Sequence, residues 1–424
     1  MLVRLTIVRT SLVNWWTALS GLHSDALLYA LSGAFALLLG ARSDQAAQWQ
    51  WGYLAFAPYF AAALAAWLLR GHFVRRVILA RVVVLALVVL GTVVIPLGLE
   101  AHWRHAQPEV GVITRSATAV SKGKDPYHTY MHDGHLVGVT PGRPVYESFF
   151  PYLPLMSVFG MPSALTHKSK GLTDPRIVMS LMTLLASALA LGLLRATKEK
   201  KIRIAQVLMA LPTGALFLST GGDDMPILAL LLLGVVALQR RSNYLAGVSF
   251  GLAAAMKLTA WPMAAGALLV ARERDGRPAW RKVGLMIGVI VAATITPFVL
   301  HAPGAFVSNV FAFPLGLAGV TSPAASALPG HILATWWPPF THILAPVTFV
   351  LGGYFVAKYF KRHWPLSLSQ LLGILSIVML ALMCVASATR VGYVIYPLNF
   401  ALWSWVCVQK PVTTPELVYT APEF

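Results

Sequence analysis

Residues 219–241 read STGGDDMPILALLLLGVVALQRR, with two adjacent carboxylates, Asp223 and Asp224, at one end of an apolar run and two arginines at the other. The run between them, 225–238, is about 14 residues long and as a helix reaches roughly 20 Å, short of a hydrocarbon layer of about 30 Å. Its neighbours 207–219, 244–256 and 259–271 are equally short. Helices too short to cross a bilayer leave a recess at one membrane face, and the aspartates are expected at its rim.

Beyond this stretch the chain is just as apolar. Of 424 residues, 57% are hydrophobic and only 11% are charged, which is too little polar surface to cover one soluble core. Clear candidate spans lie at 26–41, 53–69, 82–99, 177–194, 283–300, 341–358, 366–387 and 393–408. The expectation is an all-α, polytopic integral membrane protein with about 11–13 transmembrane helices. No soluble domain is visible. A hairpin over 1–81 precedes the main body, 82–424, whose external loops are about 100–148 and 301–340. The first residues, MLVRLTIVRTSLVNWW, lack a small-residue cleavage site, so no removable signal peptide is read there.

Lys and Arg outnumber Asp and Glu by 33 to 15. In membrane proteins such an excess collects in cytoplasmic connections and meets anionic headgroups, so it does not point to nucleic acid. The runs at 70–76, 195–203, 239–241, 272–282 and 358–363 are placed in the cytoplasm. The opposite face then carries 100–148, the GGDD turn, the turn at 256–259, 301–340 and ATRVG at 388–392. The Pro-interrupted segment FFPYLPLMSVFGMP (149–162) must dip and return, or cross and force a second adjustment. Cys384 and Cys407 sit in apolar runs and suggest neither disulfide nor thiolate metal site.

Three groups carry candidate chemistry. After Pro108, apolar residues at Val110, Ile113, Ala117 and Val120 mark one face of a short helix with Glu109 in its first turn, where the helix dipole favours a carboxylate. Asp223, with Pro226 three residues on, fits a helix cap, leaving Asp224 to orient a basic residue or an acceptor hydroxyl. Lys257 interrupts AGVSFGLAAAMKLTAWPM (246–263) at a turn predicted to share the membrane face of the aspartates. It reads either as a snorkelling lysine or as an ammonium for a lipid phosphate. The run HTYMHDGH places His128, His132 and His135 close together. A metal would need them on one helix face, and the Asp-Gly turn argues against that. No metal ligand set and no cofactor are expected.

The acidic residue in the first long external loop, SATAVSKGKDPY (116–127), FPYLPL (150–155), GGDDMP and AGVSFGLAAAMK (246–257) together resemble the GT-C polyprenyl-phosphate-sugar-dependent glycosyltransferases, in particular the actinobacterial α-mannosyltransferase-type branch. The likeness covers roughly 100–271. It implies a cavity facing the outside of the plasma membrane, in which a hexose, mannose first, passes from a polyprenyl phosphate to a glycolipid or polysaccharide of the envelope. The position matching the family's catalytic acid falls on Glu109, where relatives usually carry Asp, with Asp125 the nearest substitute. Glu109 would then be the general base. Lys257, Arg115 and His331 become candidates for the phosphate, with Asp223, Asp224 and Tyr127 beside them. An arabinofuranosyltransferase using a polyprenyl-phosphate donor is the near alternative. A flippase is the distant one, although transporters place charge at mid-membrane and repeat their halves, and neither pattern is seen here.

Overall fold

The computed structural model describes residues 21–69, 76–127, 131–132, 135–136, 144–320 and 322–408, and they are almost entirely helical. Helices α1 (Gly21–Arg42), α2 (Ala46–Leu69) and α3 (Val77–Trp103) are each long and apolar enough to cross a bilayer. A short helix α4 (Pro108–Ser121) follows, opening on Gln107 and Pro108 with Glu109 in its first turn. Proline suits that position because its missing N–H would have no partner there. Then come α5 (Pro175–Leu193) and the bent pair Lys198–Ala210 and Pro212–Thr220, here α6, whose halves meet at 41° beside Pro212.

Two of the four expected short helices exist as such, α7 (Asp224–Gln239) and α8 (Asn243–Met256), whereas 207–219 is absorbed into the bent pair α6 and 259–271 runs on into a helix that extends to His301. At 1.5 Å per residue α7 is about 24 Å long. From Asp224 to Leu238 every residue of it is buried. A helix apolar on all sides is stable only when other helices surround it, and α7 is the centre of the molecule. The remaining helices are α9 (Trp261–His301), broken at Gly276, α10 (Pro329–Trp336), α11 (Phe340–His363), α12 (Leu368–Val385) and α13 (Ile395–Cys407). Among the described residues six helices meet the length and hydropathy expected of a span, seven if α6 counts as one, and shorter apolar helices add to them. Leu31, Leu38, Leu64, Leu87, Leu285 and Phe355 face outward, as expected where the surrounding solvent is lipid.

The two ends of the bundle are distinct. At one end Arg195 N donates to Gln239 Oε1 at 3.0 Å, Arg240 to Leu193 O at 2.5 Å, and Lys200 Nζ to Trp405 O at 3.2 Å. The basic runs at 195–203 and 239–241 thus lie together, with Arg241 also 3.4 Å from Asp275 beside the α9 break. At the other end Gln107 N donates to Thr220 O at 3.0 Å, and Leu153 N to Met256 O at 2.9 Å. Arg176, at the start of α5, reaches Glu100 O at 2.9 Å near the end of α3. Residues 104–174 therefore begin and end on one face. The segment 149–162 dips and returns, as a 3-10 turn Pro154–Gly160 and a short helix Met161–Thr166. Gly160 permits this, because a Cβ there would lie 2.7 Å from Ala117 Cβ and 2.8 Å from Ile113 O.

The hairpin α1–α2 is docked onto α3 and α6 by a buried ion cluster. Asp25 receives Arg81 Nε at 2.6 Å, Arg203 Nη1 at 2.7 Å and Gln206 Nε2 at 2.9 Å. Two interior hydrogen bonds, Trp51 Nε1 to Thr92 O at 2.9 Å and Tyr59 OH to Ala210 O at 2.6 Å, hold the same surface. In the histidine-rich run, His132 pairs with His135 across two-residue antiparallel strands, Met131–His132 and His135–Leu136, so both stand on strands and not on a helix. His128 lies outside the described residues. No cluster of metal-binding type occurs among the described residues.

Candidate active site

A cavity of about 760 Å³ opens at the non-basic end, and its lining includes Glu109, Asp223, Asp224 and Lys257. Three segments far apart in sequence bring them there. Glu109 enters on the first turn of α4, the aspartates on the turn between α6 and α7, and Lys257 on the extended residue that ends α8.

Gly221 makes the aspartate turn possible. It ends α6 in the left-handed region at φ 92°, and a Cβ there would fall 2.3 Å from Val110 Cγ2 and 2.7 Å from Arg176 Cγ. Both the dihedral and the space demand glycine. Gly221→Ala is expected to cost about 1–3 kcal/mol of stability, and to shift the aspartates relative to α4. Thermal unfolding of the purified variant, with turnover measured alongside, checks this; an unchanged midpoint would show that the turn tolerates a side chain.

Both aspartates are spent on the lysine. Lys257 Nζ donates to Asp223 Oδ2 at 2.8 Å and to Asp224 Oδ1 at 2.5 Å. Tyr396 OH donates to the same Asp224 oxygen at 2.6 Å and itself accepts from Thr259 Oγ1 at 2.8 Å. The Lys257 ammonium also lies 5.5 Å from the centre of the Tyr152 ring, a favourable cation–π distance. Asp223 does stand at the helix start, but its side chain makes no capping hydrogen bond. The expected division between one capping and one orienting aspartate is corrected here: a buried ammonium needs compensation more than a helix end needs a cap, and it takes both carboxylates.

The site shifts the ionisation of its members. Burial raises the Asp223 carboxyl from 3.8 to about 6, with Asp224 and Glu109 adding to the rise and Lys257 opposing it. Burial also works against charge on Lys257, but the two aspartates outweigh it and hold the ammonium well above its ordinary pKa. Because the folded-state pKa of Asp223 is raised, the folded protein keeps a proton that the unfolded chain releases. Its contribution to stability therefore declines as pH rises from about 4 to about 6. The difference in unfolding midpoint between wild type and Asp223→Asn should change in that direction across this window. A flat difference would place the Asp223 pKa near its ordinary value.

Glu109 makes a separate pair. Its Oε1 accepts from Arg390 Nη1 at 2.6 Å, while Oε2 has no hydrogen-bond partner among the described residues. Arg390 and Tyr393 line the cavity from the segment joining α12 to α13, and Tyr396 from the first turn of α13. The sequence offered one faint sign of them, an arginine in a short apolar connection placed on the face of the aspartates. Trp261, Pro262, Met379, Leu382 and Met383 form an apolar wall of the same cavity.

Three candidates from the sequence do not line it. Tyr127 is fully buried, its OH donating to Tyr152 O at 2.9 Å and its carbonyl accepting from Asn309 Nδ2 at 2.9 Å, so it braces the loop behind the cavity. Arg115 lies about two turns along α4 from Glu109 and donates to Glu147 O. His331, at the start of α10, has Nδ1 2.8 Å from Ser387 O. Asp125, the substitute acid, uses Oδ1 to accept the Tyr127 N–H at 2.8 Å in its own turn.

Residues 150–388, more than half of the chain, match the family described as glycosyltransferase family 87. The chain belongs to that family. It is a multi-pass membrane glycosyltransferase. The matched residues of this glycosyltransferase contain Tyr152, Asp223, Asp224 and Lys257, while Glu109 and Arg390 enter from either side of the matched range. The curated proteins provide no match to the chain.

Proposed function

We propose that this glycosyltransferase is of the GT-C type and moves a hexose, mannose first, from a polyprenyl phosphate to a glycolipid or polysaccharide acceptor of the cell envelope. The cavity then faces the extracytoplasmic side of the plasma membrane, because the basic runs at 195–203 and 239–241 lie at the opposite end of the bundle. Glu109 is the general base. The observation that carries the reading is its carboxylate: one oxygen is fixed by Arg390, and the other is buried with no hydrogen-bond partner among the described residues, on a side chain that lines a cavity with an apolar wall.

In that reaction the acceptor hydroxyl gives its proton to Glu109 Oε2 as its oxygen bonds to the anomeric carbon. The bond from that carbon to the phosphate oxygen breaks, with inversion, and polyprenyl phosphate leaves with the electron pair. A base within hydrogen-bond reach of the hydroxyl contributes about 10²–10⁴-fold. The apolar wall suits the isoprenoid chain. Cleavage of the donor's activated glycosyl–phosphate bond drives the transfer, so no nucleotide is required at the site, and no P-loop pattern occurs in the sequence.

The experiment is transfer by the purified full-length chain from labelled polyprenyl-phosphate mannose, and in parallel from polyprenyl-phosphate arabinose, into an envelope lipid extract. Product from the mannose donor supports the proposal. Product from the arabinose donor alone would move the substrate to the pentose. No product from either, with a nucleotide sugar serving instead, would overturn the lipid-phosphate reading.

A further inference from the structure

Resting on the reading of a lipid-phosphate donor, we infer that the cation meeting the donor's phosphate is the Arg390 guanidinium, and that Lys257 is a structural cation holding the aspartate turn. Lys257 is the choice that sequence suggests, but its charge is already spent. It faces two carboxylates at 2.5 and 2.8 Å, so that trio is net negative and would repel an anion. Displacing either aspartate would expose a buried carboxylate with no cation.

Arg390 is differently placed. A guanidinium presents five N–H donors in a planar fork. One of them meets Glu109 Oε1, and no other hydrogen bond from this guanidinium occurs among the described residues. Its side chain is 33% exposed, against 13% for that of Lys257, and it lines the cavity. The unused edge of the fork is therefore accessible to an anion while the used edge keeps Glu109 in place. One residue then links the base to the departing phosphate. A phosphate held by charge-assisted, two-point hydrogen bonds gains most as its negative charge grows.

The test uses equilibrium binding to the purified full-length chain, with radiolabelled polyprenyl monophosphate as probe and uncharged polyprenol and inorganic phosphate as competitors. Wild type is expected to prefer the monophosphate over polyprenol. Arg390→Gln should lose about ten- to a hundredfold of that preference, and Arg390→Lys should keep part of it. Glu109→Gln/Arg390→Gln, which leaves no unpaired carboxylate behind, should show the same loss as Arg390→Gln, separating phosphate binding from a folding defect. Lys257→Met/Asp223→Asn/Asp224→Asn, neutral throughout, should retain the wild-type preference. An undiminished preference in both Arg390→Gln variants, or its loss in the Lys257 variant, overturns the assignment. Wild type that binds polyprenol and monophosphate equally would instead defeat the lipid-phosphate donor itself. Competition by inorganic phosphate alone, with the lipid chain adding nothing, would identify the site as one for free phosphate and overturn the inference as stated.

Discussion

Glu109→Gln is expected to leave this glycosyltransferase folded while lowering its turnover by about 10²–10⁴-fold. Gln keeps the size of Glu and an oxygen that can still accept from Arg390. What it lacks is a basic oxygen in place of Oε2, the atom that has no partner among the described residues. The measurement is single-turnover transfer at saturating donor, beside an unfolding curve. A change confined to KM would mean that Glu109 only binds the acceptor. Full activity in the Gln variant removes it from the base role, and Asp125, which caps its own turn with one oxygen, becomes the acid to test.

Lys257→Met should act on stability instead. The substitution preserves most of the buried volume but leaves Asp223 and Asp224 adjacent, without the ammonium that both contact. Breaking a buried ion pair from one side typically costs about 3–5 kcal/mol, because the surviving charge is uncompensated. Here two survive, so one carboxyl is expected to take up a proton. Adding Asp223→Asn and Asp224→Asn should recover most of the loss, since no charge is then buried. The check is the unfolding midpoint of the three proteins in the same detergent. A single Lys257→Met variant as stable as wild type would show that water already reaches the aspartates.

The helices of this protein were legible because hydrocarbon imposes a length on each of them. The basic runs at 195–203 and 239–241 likewise marked one end of the bundle, and contacts among 193–200, 239–240 and 405 gather them there. Glu109 could be placed in the first turn of α4 from local signals alone, the proline before it and the apolar spacing after it. The common face of Asp223, Asp224 and Lys257 followed from helix parity. Their direct contact did not, and the capping rule misled for Asp223, because capping is a local preference and the lysine arrives from 34 residues away.

Arg390 and Tyr396 were out of reach for the same reason. They meet Glu109 and Asp224 across 281 and 172 residues, after the last two helices have returned to the cavity. Tyr127, Arg115 and His331 err in the other direction: they lie in the right loops, but side-chain direction takes them to backbone carbonyls, and none of the three lines the cavity itself.

By itself the sequence determined that the chain is a bundle of membrane helices with polar loops at one end and basic connections at the other. Those properties follow from what lipid does to each segment separately. Only the tertiary structure decided which cation each carboxylate holds. Ion pairing in a buried site depends on angstrom-scale approach between segments that share no local pattern, and no property of either segment alone contains it.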